Sequence, residues 1–202
     1  MERKSSKPGP ALSILHRWGW PVVAAVGVWA LVAAAPNPAY REGPPPGFSG
    51  GFGEASCSAC HFSSEDNTGP GVLSIEGLPA TYVPAKGYPL VLTLARSGMA
   101  ISGFVLTARF AEDGAQGGTL AIAPGEAARA GLVTDREVQY AFQLAQGAQV
   151  STPDTARWTV LWTAPDAGGA IQLNVAANAA DGDGTAEGDE VYTTRVTIPR
   201  HR

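Results

Sequence analysis

Alternation constrains this chain more than any other feature. Side chains of an extended backbone point to opposite faces in turn, so a strand that buries one face reads apolar and polar at period two. YPLVLTLAR does so, with Leu90, Leu92 and Leu94 on one face and Val91 and Thr93 on the other. GFVLTARF aligns Phe104, Leu106, Ala108 and Phe110; RWTVLWTAP aligns Trp158, Val160 and Trp162; AIQLNVAA aligns Ile171, Leu173 and Val175. EVYTTRVTI sets Tyr192, Thr194, Val196 and Ile198 against Val191, Thr193, Arg195 and Thr197. Weaker runs are LSI near Leu73, TLAIA near Leu120 and VQYAFQ near Tyr140. Turn residues part these runs, as in an antiparallel sandwich, and about seven or eight strands are expected. No capped stretch of 3.6-residue periodicity follows residue 36; PGEAARAG near Ala127 is a short turn at most. The expected fold is all-β, one antiparallel β-sandwich over residues 72–199 with no internal repeat.

The first 35 residues follow a different rule. Arg3, Lys4, Lys7 and Arg17 precede the apolar run PVVAAVGVWALVAAA, Pro21 to Ala35. A basic start, a short apolar core and small residues at its end read as a secretory signal peptide or an uncleaved N-terminal membrane anchor. The run is short against the ~20 residues of a comfortable spanning helix. Either way residues 36–202 are expected outside the cytoplasm, in the periplasm or at the cell surface, with the basic end left inside. Residues 1–35 hold 4 of the 14 Lys and Arg and 1 of the 18 Asp and Glu, so residues 36–202 carry 10 basic and 17 acidic side chains, net −7. An acidic exported domain is a poor match for nucleic acid or anionic lipid, and no nucleic-acid partner is expected.

Residues 36–71 form an arm. PNPAYREGPPPGFSGGFG is too rich in Pro and Gly for a helix or a central strand. It runs into CSACHF, which holds the chain's two cysteines, Cys57 and Cys60, and then His61. C-x-x-C-H is the attachment signature of c-type haem: two thiols three positions apart add to the vinyl groups, and the adjoining imidazole binds the iron. Attachment of this kind requires export, which the N-terminal segment independently provides. Other readings compete. A Cys57–Cys60 disulfide suits an oxidising compartment, but a C-x-x-C redox site belongs in a βαβ context that is missing here. A structural zinc would need four ligands, and the second pair is lacking. Covalent haem c, one per chain, is the expected cofactor.

The order of phrases in the sandwich carries a family resemblance. GLPATYVPAKGYPLVLTLA, SGFVLTARF, ARWTVLWTAP and NAADGDGTAEGDEVYT, over about residues 75–198, resemble the reeler (reelin-type) domain, nearest to its bacterial branch of exported choice-of-anchor proteins. The resemblance implies an immunoglobulin-like sandwich, and many bacterial relatives carry C-x-x-C-H just ahead of it. Two positions depart from the pattern. Lys86 stands where a Gly is expected in the opening turn, with Gly87 beside it, and STPDTAR before Trp158 has no histidine that could serve as an axial ligand. The fold by itself implies no chemistry.

For the second axial position the sequence offers Met99, in the loop ARSGMAISG, with core packing as the alternative use of that side chain. His201 lies in the C-terminal tail, and His16 and Met1 lie before or within the export segment. Phe48, Phe52 and Phe62, with Tyr82 or Tyr88, are candidates to cover the haem. The arm has too few apolar residues to enclose it, so a partly exposed haem serving a redox partner, within a membrane-bound electron-transfer complex, is expected. DGDGTAEGDE, Asp181 to Glu190, reads as a solvated loop, with a hard cation as the alternative; it departs from the EF-hand pattern, since Tyr192 stands at the twelfth position from Asp181. No Ser-His-Asp set is available, and no enzyme activity is expected. The chain therefore reads as an exported, monohaem electron-transfer protein, or alternatively as a non-redox surface or binding module with a Cys57–Cys60 disulfide.

Overall fold

The structure, a computed structural model, describes Tyr40, residues 43–150 and residues 152–201. The segment 1–35, with its export and anchor readings, and the candidate ligands Met1 and His16 lie outside the described residues. No described helix is long and apolar enough to cross a membrane.

Among the described residues nine strands form two antiparallel sheets: β1 (Val72–Glu76), β2 (Gly87–Ala95), β3 (Ile101–Phe110), β4 (Thr119–Ile122), β5 (Ala130–Asp135), β6 (Val138–Gln143), β7 (Thr155–Thr163), β8 (Ile171–Ala180) and β9 (Glu190–Ile198). One sheet has the order β1-β2-β7-β4, and the other β5-β6-β3-β8-β9. This is the expected all-β sandwich, with every strong period-two run inside a strand. The inward rows are the alternating sets: Leu90, Leu92 and Leu94 from β2 and Trp158, Val160 and Trp162 from β7 face Phe104, Leu106 and Ala108 from β3 and Ile171, Leu173 and Val175 from β8. Both indoles are fully buried, and each N–H donates to a backbone carbonyl, Trp158 to Gly147 and Trp162 to Gly117, both at 2.9 Å. A buried ring with its polar atom satisfied keeps its full apolar contribution.

The expectation of seven or eight strands falls one short at β5. The short turn read near Ala127 gives way at Ala130 to a six-residue strand hydrogen-bonded to β6. Its hairpin turns on Arg136 (φ 46°) and Glu137 (φ 68°), both left-handed. Such two-residue turns normally advertise themselves with Asn-Gly or Asp-Gly. Arg-Glu carries no such signal, and the strand lies at a sheet edge where its alternation is weakly enforced.

A second difference matters more for function. Alternation implies one wet face per strand, yet β3 and β8 are buried on both faces along most of their length. On the side away from the core lie Val105, Thr107 and Arg109 of β3 and Asn174, Ala176 and Asn178 of β8, all buried. The arm covers them. Gly51 passes so close that a Cβ there would come within 2.2 Å of the Asn174 side chain, and only glycine permits that approach. Further along the arm, Asn67 takes up the free edge of β9: its N–H donates to the Val191 carbonyl, its Oδ1 accepts from the Thr193 N–H, and its Nδ2 donates to Thr193 Oγ1, each at 2.9 Å. The segment is thus a docked layer over one sheet.

Candidate functional site

The arm is fastened by a buried polar cluster and ends in the cysteine motif. Glu54 is the fastener. A tight turn, with Gly50 N–H donating to Ala55 O and Glu54 N–H to Gly51 O (both 2.9 Å), aims its carboxylate down at the sheet. There it accepts from Ser49 Oγ at 2.5 Å, from Tyr140 Oη at 2.6 Å and from the Arg109 guanidinium. Arg109 also donates to Tyr140 Oη at 2.6 Å, and its guanidinium carbon lies 5.3 Å from the centre of the Phe52 ring. Burial alone would raise the Glu54 carboxyl, but the hydrogen bonds from Ser49, Tyr140 and Arg109, with the charge of Arg109, hold it below its usual value. Burial and the neighbouring Glu54 push Tyr140 up to about 12, which keeps it a neutral donor.

Cys57–Ala59 form a single 3-10 turn. Ser56 caps it by accepting the Ser58 N–H at 3.2 Å, and the Cys57 carbonyl accepts from the N–H groups of Cys60 (3.1 Å) and His61 (3.0 Å). Cys57 opens this turn and Cys60 closes it as the C-cap, so the two cysteines stand at the two ends of one turn. The cysteines are free and half-buried. Burial, with Asp66 nearby, pushes the Cys57 thiol up to about 12. A reactive dithiol needs the opposite shift, since its nucleophile is the thiolate. A neutral thioether or disulfide, by contrast, suits such a position.

His61 follows with its ring 37% exposed on the side chain, and its Nδ1 lies 2.6 Å from Oδ2 of Asp189, which is 2% exposed. Asn178 Nδ2 lies 3.1 Å from the same Nδ1 and 3.4 Å from Asp189 Oδ2. A carboxylate contact this short requires a proton on Nδ1, so Nδ1–H donates to Asp189 and the Asn178 amide donates to the carboxylate. Nε2 makes no hydrogen bond among the described residues and has a lone pair to offer in the neutral ring. A ligating histidine commonly gives its other N–H to a carboxylate or carbonyl, so the residues present fit a histidine-ligated haem iron: one fixed imidazole, two cysteines at the ends of the preceding turn, and Phe62, 69% exposed, next in the chain.

The remaining sequence candidates go elsewhere. Met99 is 5% exposed and packs within the core between the sheets, whereas His61 rests on the outer face of β8 beside Asn178. The structure does not bring Met99 and His61 together. Tyr82 and Tyr88 likewise belong to the core, against Trp162 at 5.8 and 5.5 Å between ring centroids, and are not beside the motif. Phe52 lies over Arg109, paired to Gln172 at the other end of β8 from Asn178, about 20 Å away at ~3.3 Å per residue. Phe48 is half-buried within the arm. His201 bonds to Tyr82 O through its backbone N–H, beyond the end of β9 remote from Asp189.

The acidic loop divides its carboxylates. Asp181 and Asp183 accept backbone N–H groups from Asp183 and Thr185 in successive turns, Asp189 serves His61, and Glu190 pairs with Arg96. Ser63 Oγ donates to the Ala186 carbonyl and ties the arm to this loop. Among the described residues no three of His, Cys, Asp and Glu are grouped as a metal site. Sequence reasoning missed Asp189, Asn178 and the Glu54 cluster. Only the density of acids between residues 181 and 190 marked the loop at all.

No family model matches the sequence, and no curated protein does. Among solved structures, the chain is similar to the human F-spondin reeler domain (22% identity, 68% of this chain and 92% of that one, TM-score 0.46). It is also similar to the Reelin-N domain of F-spondin (21% identity, 72% and 97%, TM-score 0.47) and to a cohesin module from Clostridium perfringens (8% identity, 65% and 96%, TM-score 0.38). These likenesses concern the sandwich fold alone, which is the part of the chain whose phrases resemble the reeler family.

Proposed function

We propose that this chain is an exported, monohaem c-type electron-transfer protein. Cys57 and Cys60 tether the haem, and His61 binds its iron through Nε2. The observation that carries the reading is the His61–Asp189 contact at 2.6 Å, which fixes the ring by Nδ1 and leaves Nε2 unengaged in a half-exposed setting. The cofactor, when bound, supplies one-electron exchange at its iron, at a potential set by its ligands and their surroundings. The chain's own residues hold, orient and shield. The capped turn from Ser56 sets the two sulfurs, Asp189 and Asn178 set the imidazole, and the Glu54–Arg109–Tyr140 cluster keeps the arm seated on a rigid sheet. Exposure at His61 and Phe62 favours electron exchange at an uncovered edge with a docked redox partner, such as a subunit of a membrane-bound complex outside the cytoplasm.

The test is direct. The full chain is coexpressed with haem-maturation machinery, exported, denatured and assayed for covalent haem by mass and by the reduced pyridine-haemochrome spectrum. Covalent haem in the wild type and none in a Cys57→Ser/Cys60→Ser variant is expected. A haem-free protein lighter by two hydrogens would instead support the disulfide-bonded binding module, and a haem-free dithiol would refute the proposal outright.

A further inference from the structure

The buried side chain at the mouth of β9 has no structural need to be a carboxylate. Asp189 immediately precedes β9 and is buried to 2%, with Oδ2 on His61 and Oδ1 without a hydrogen-bond partner among the described residues. The Oδ1 of the adjacent Asn178 is also buried and without a partner among them. Leaving a carboxylate oxygen buried and unpaired is costly, and more so than for a neutral amide. If Asp189 only tied the acidic loop to the arm, an asparagine would accept the same Nδ1–H at lower cost. Contrast Glu54, whose two oxygens accept from Ser49, Arg109 and Tyr140. The loop also has other ties: Ser63 to Ala186, and the Asp181 and Asp183 turns.

From this we infer that Asp189 is a positioning residue for His61. It selects the Nδ1–H tautomer, aims Nε2 outward, and makes the imidazole a stronger electron donor than a carbonyl or amide partner would. The inference rests on the haem reading for its redox consequence, but not for the tautomer. Both supporting groups stand on the sheet, Asn178 within β8 and Asp189 at the mouth of β9, so the ring is oriented by the sheet beneath the arm. A negative partner on the ring favours ferric over ferrous iron and therefore lowers the potential. Loss of such a hydrogen-bond partner typically changes metal affinity by ~10–100-fold. If one tenfold of that falls on the ferric form alone, the potential moves by about 59 mV for one electron.

Two measurements test this. In the haem-free full chain labelled with 15N, at a pH where the ring is neutral, the wild type should give the Nδ1–H pattern at His61. Asp189→Leu should lose it, and Asp189→Asn should keep it. In the haem-loaded chain, Asp189→Asn should raise the reduction potential by about 59 mV or more, and Asp189→Glu should recover part of the wild-type value. Each variant is checked for wild-type strand content by circular dichroism, because a merely structural role would alter melting and leave the potential alone. An Nε2–H pattern in the wild type, or an unchanged potential in a folded Asp189→Asn chain, overturns the inference. Should the wild type take up no haem, the electron-transfer reading fails, and the tautomer measurement alone decides the role of Asp189.

Discussion

Replacing Glu54 by Gln should loosen the arm before it loosens the sandwich. The carboxylate accepts from Ser49, Tyr140 and Arg109, and Arg109 is 6% exposed beneath the arm. Removing one partner of a buried ion pair while leaving the other charge in place costs about 3–5 kcal/mol. Here the loss has a ceiling. Glu54 and Phe52 of the arm lie against Arg109, whose other partner is Tyr140 of the sheet, so an arm that lifts off opens the guanidinium to water. The cost therefore cannot exceed the free energy of docking the arm, and the two sheets remain packed. If the full 3–5 kcal/mol were charged to global unfolding, a domain of this size would lose about 6–20 °C in melting temperature. The expected outcome is smaller in melting and larger in local opening: rapid proteolysis and amide exchange over residues 43–64, with the β2, β7 and β8 amides still protected. A Glu54→Gln/Arg109→Met double variant removes both the charge and its demand, so the arm should reseat. Two results would refute the reasoning. One is Glu54→Gln with wild-type protection over the arm; the other is a double variant whose arm is as open as that of the single.

The remaining predictions concern acid and the core. Glu54 is held below its usual carboxyl value when docked, so its stabilisation is complete above the undocked value of ~4.3 and is lost as pH falls through the lower docked value. Protection of residues 43–64 should therefore hold at mildly acidic pH and fail only below the usual carboxylate range; opening near neutral pH would contradict the assignment. Met99→Ala should destabilise the sandwich by about 2–5 kcal/mol, as buried methionine truncations do, while leaving the spectrum of a haem-loaded chain unchanged. A chain of wild-type stability with a changed haem spectrum would return Met99 to the ligand set.

The strands were legible because period two is enforced wherever a core lies on one side. β2, β7 and β9 match the alternating runs to within two residues at either end. β5 escaped because an edge strand needs little apolar content and its hairpin uses Arg136-Glu137 in place of glycine. The arm was legible as an arm but not as a cover. Nothing in PPPGFSGGFGE announces that it will be buried. The sign of it lies in the sheet, where Thr107, Asn174 and Asn178 look like an ordinary wet face until Arg109 among them is found paired with Glu54. Polar residues on a strand's outer face are compatible with water and equally with a polar lid, and composition cannot separate the two.

The site shows the same asymmetry at a single residue. Cys57, Cys60 and His61 declare themselves by spacing, because the haem attachment proposed for them would be local to one turn. Asp189 lies 128 positions away and shares its loop with Asp181, Asp183, Glu187 and Glu190, any of which could equally have been the partner by composition. What singles it out is topology. β9 is the edge strand beside β8, so Asp189, one step beyond the Ala179–Glu190 pair, shares a sheet face with Val191 and lies diagonal to Asn178. The arm, once fastened at Glu54 and capped at Ser56, brings His61 to that same level. The glycines of the acidic loop let the chain reverse and deliver one carboxylate inward, while Asp181 and Asp183 satisfy the loop's own amides. A loop that resembles a cation site by its acids alone therefore works, in this fold, as the mount for one buried carboxylate, and the histidine it holds is the one whose spacing already marked it as a candidate ligand.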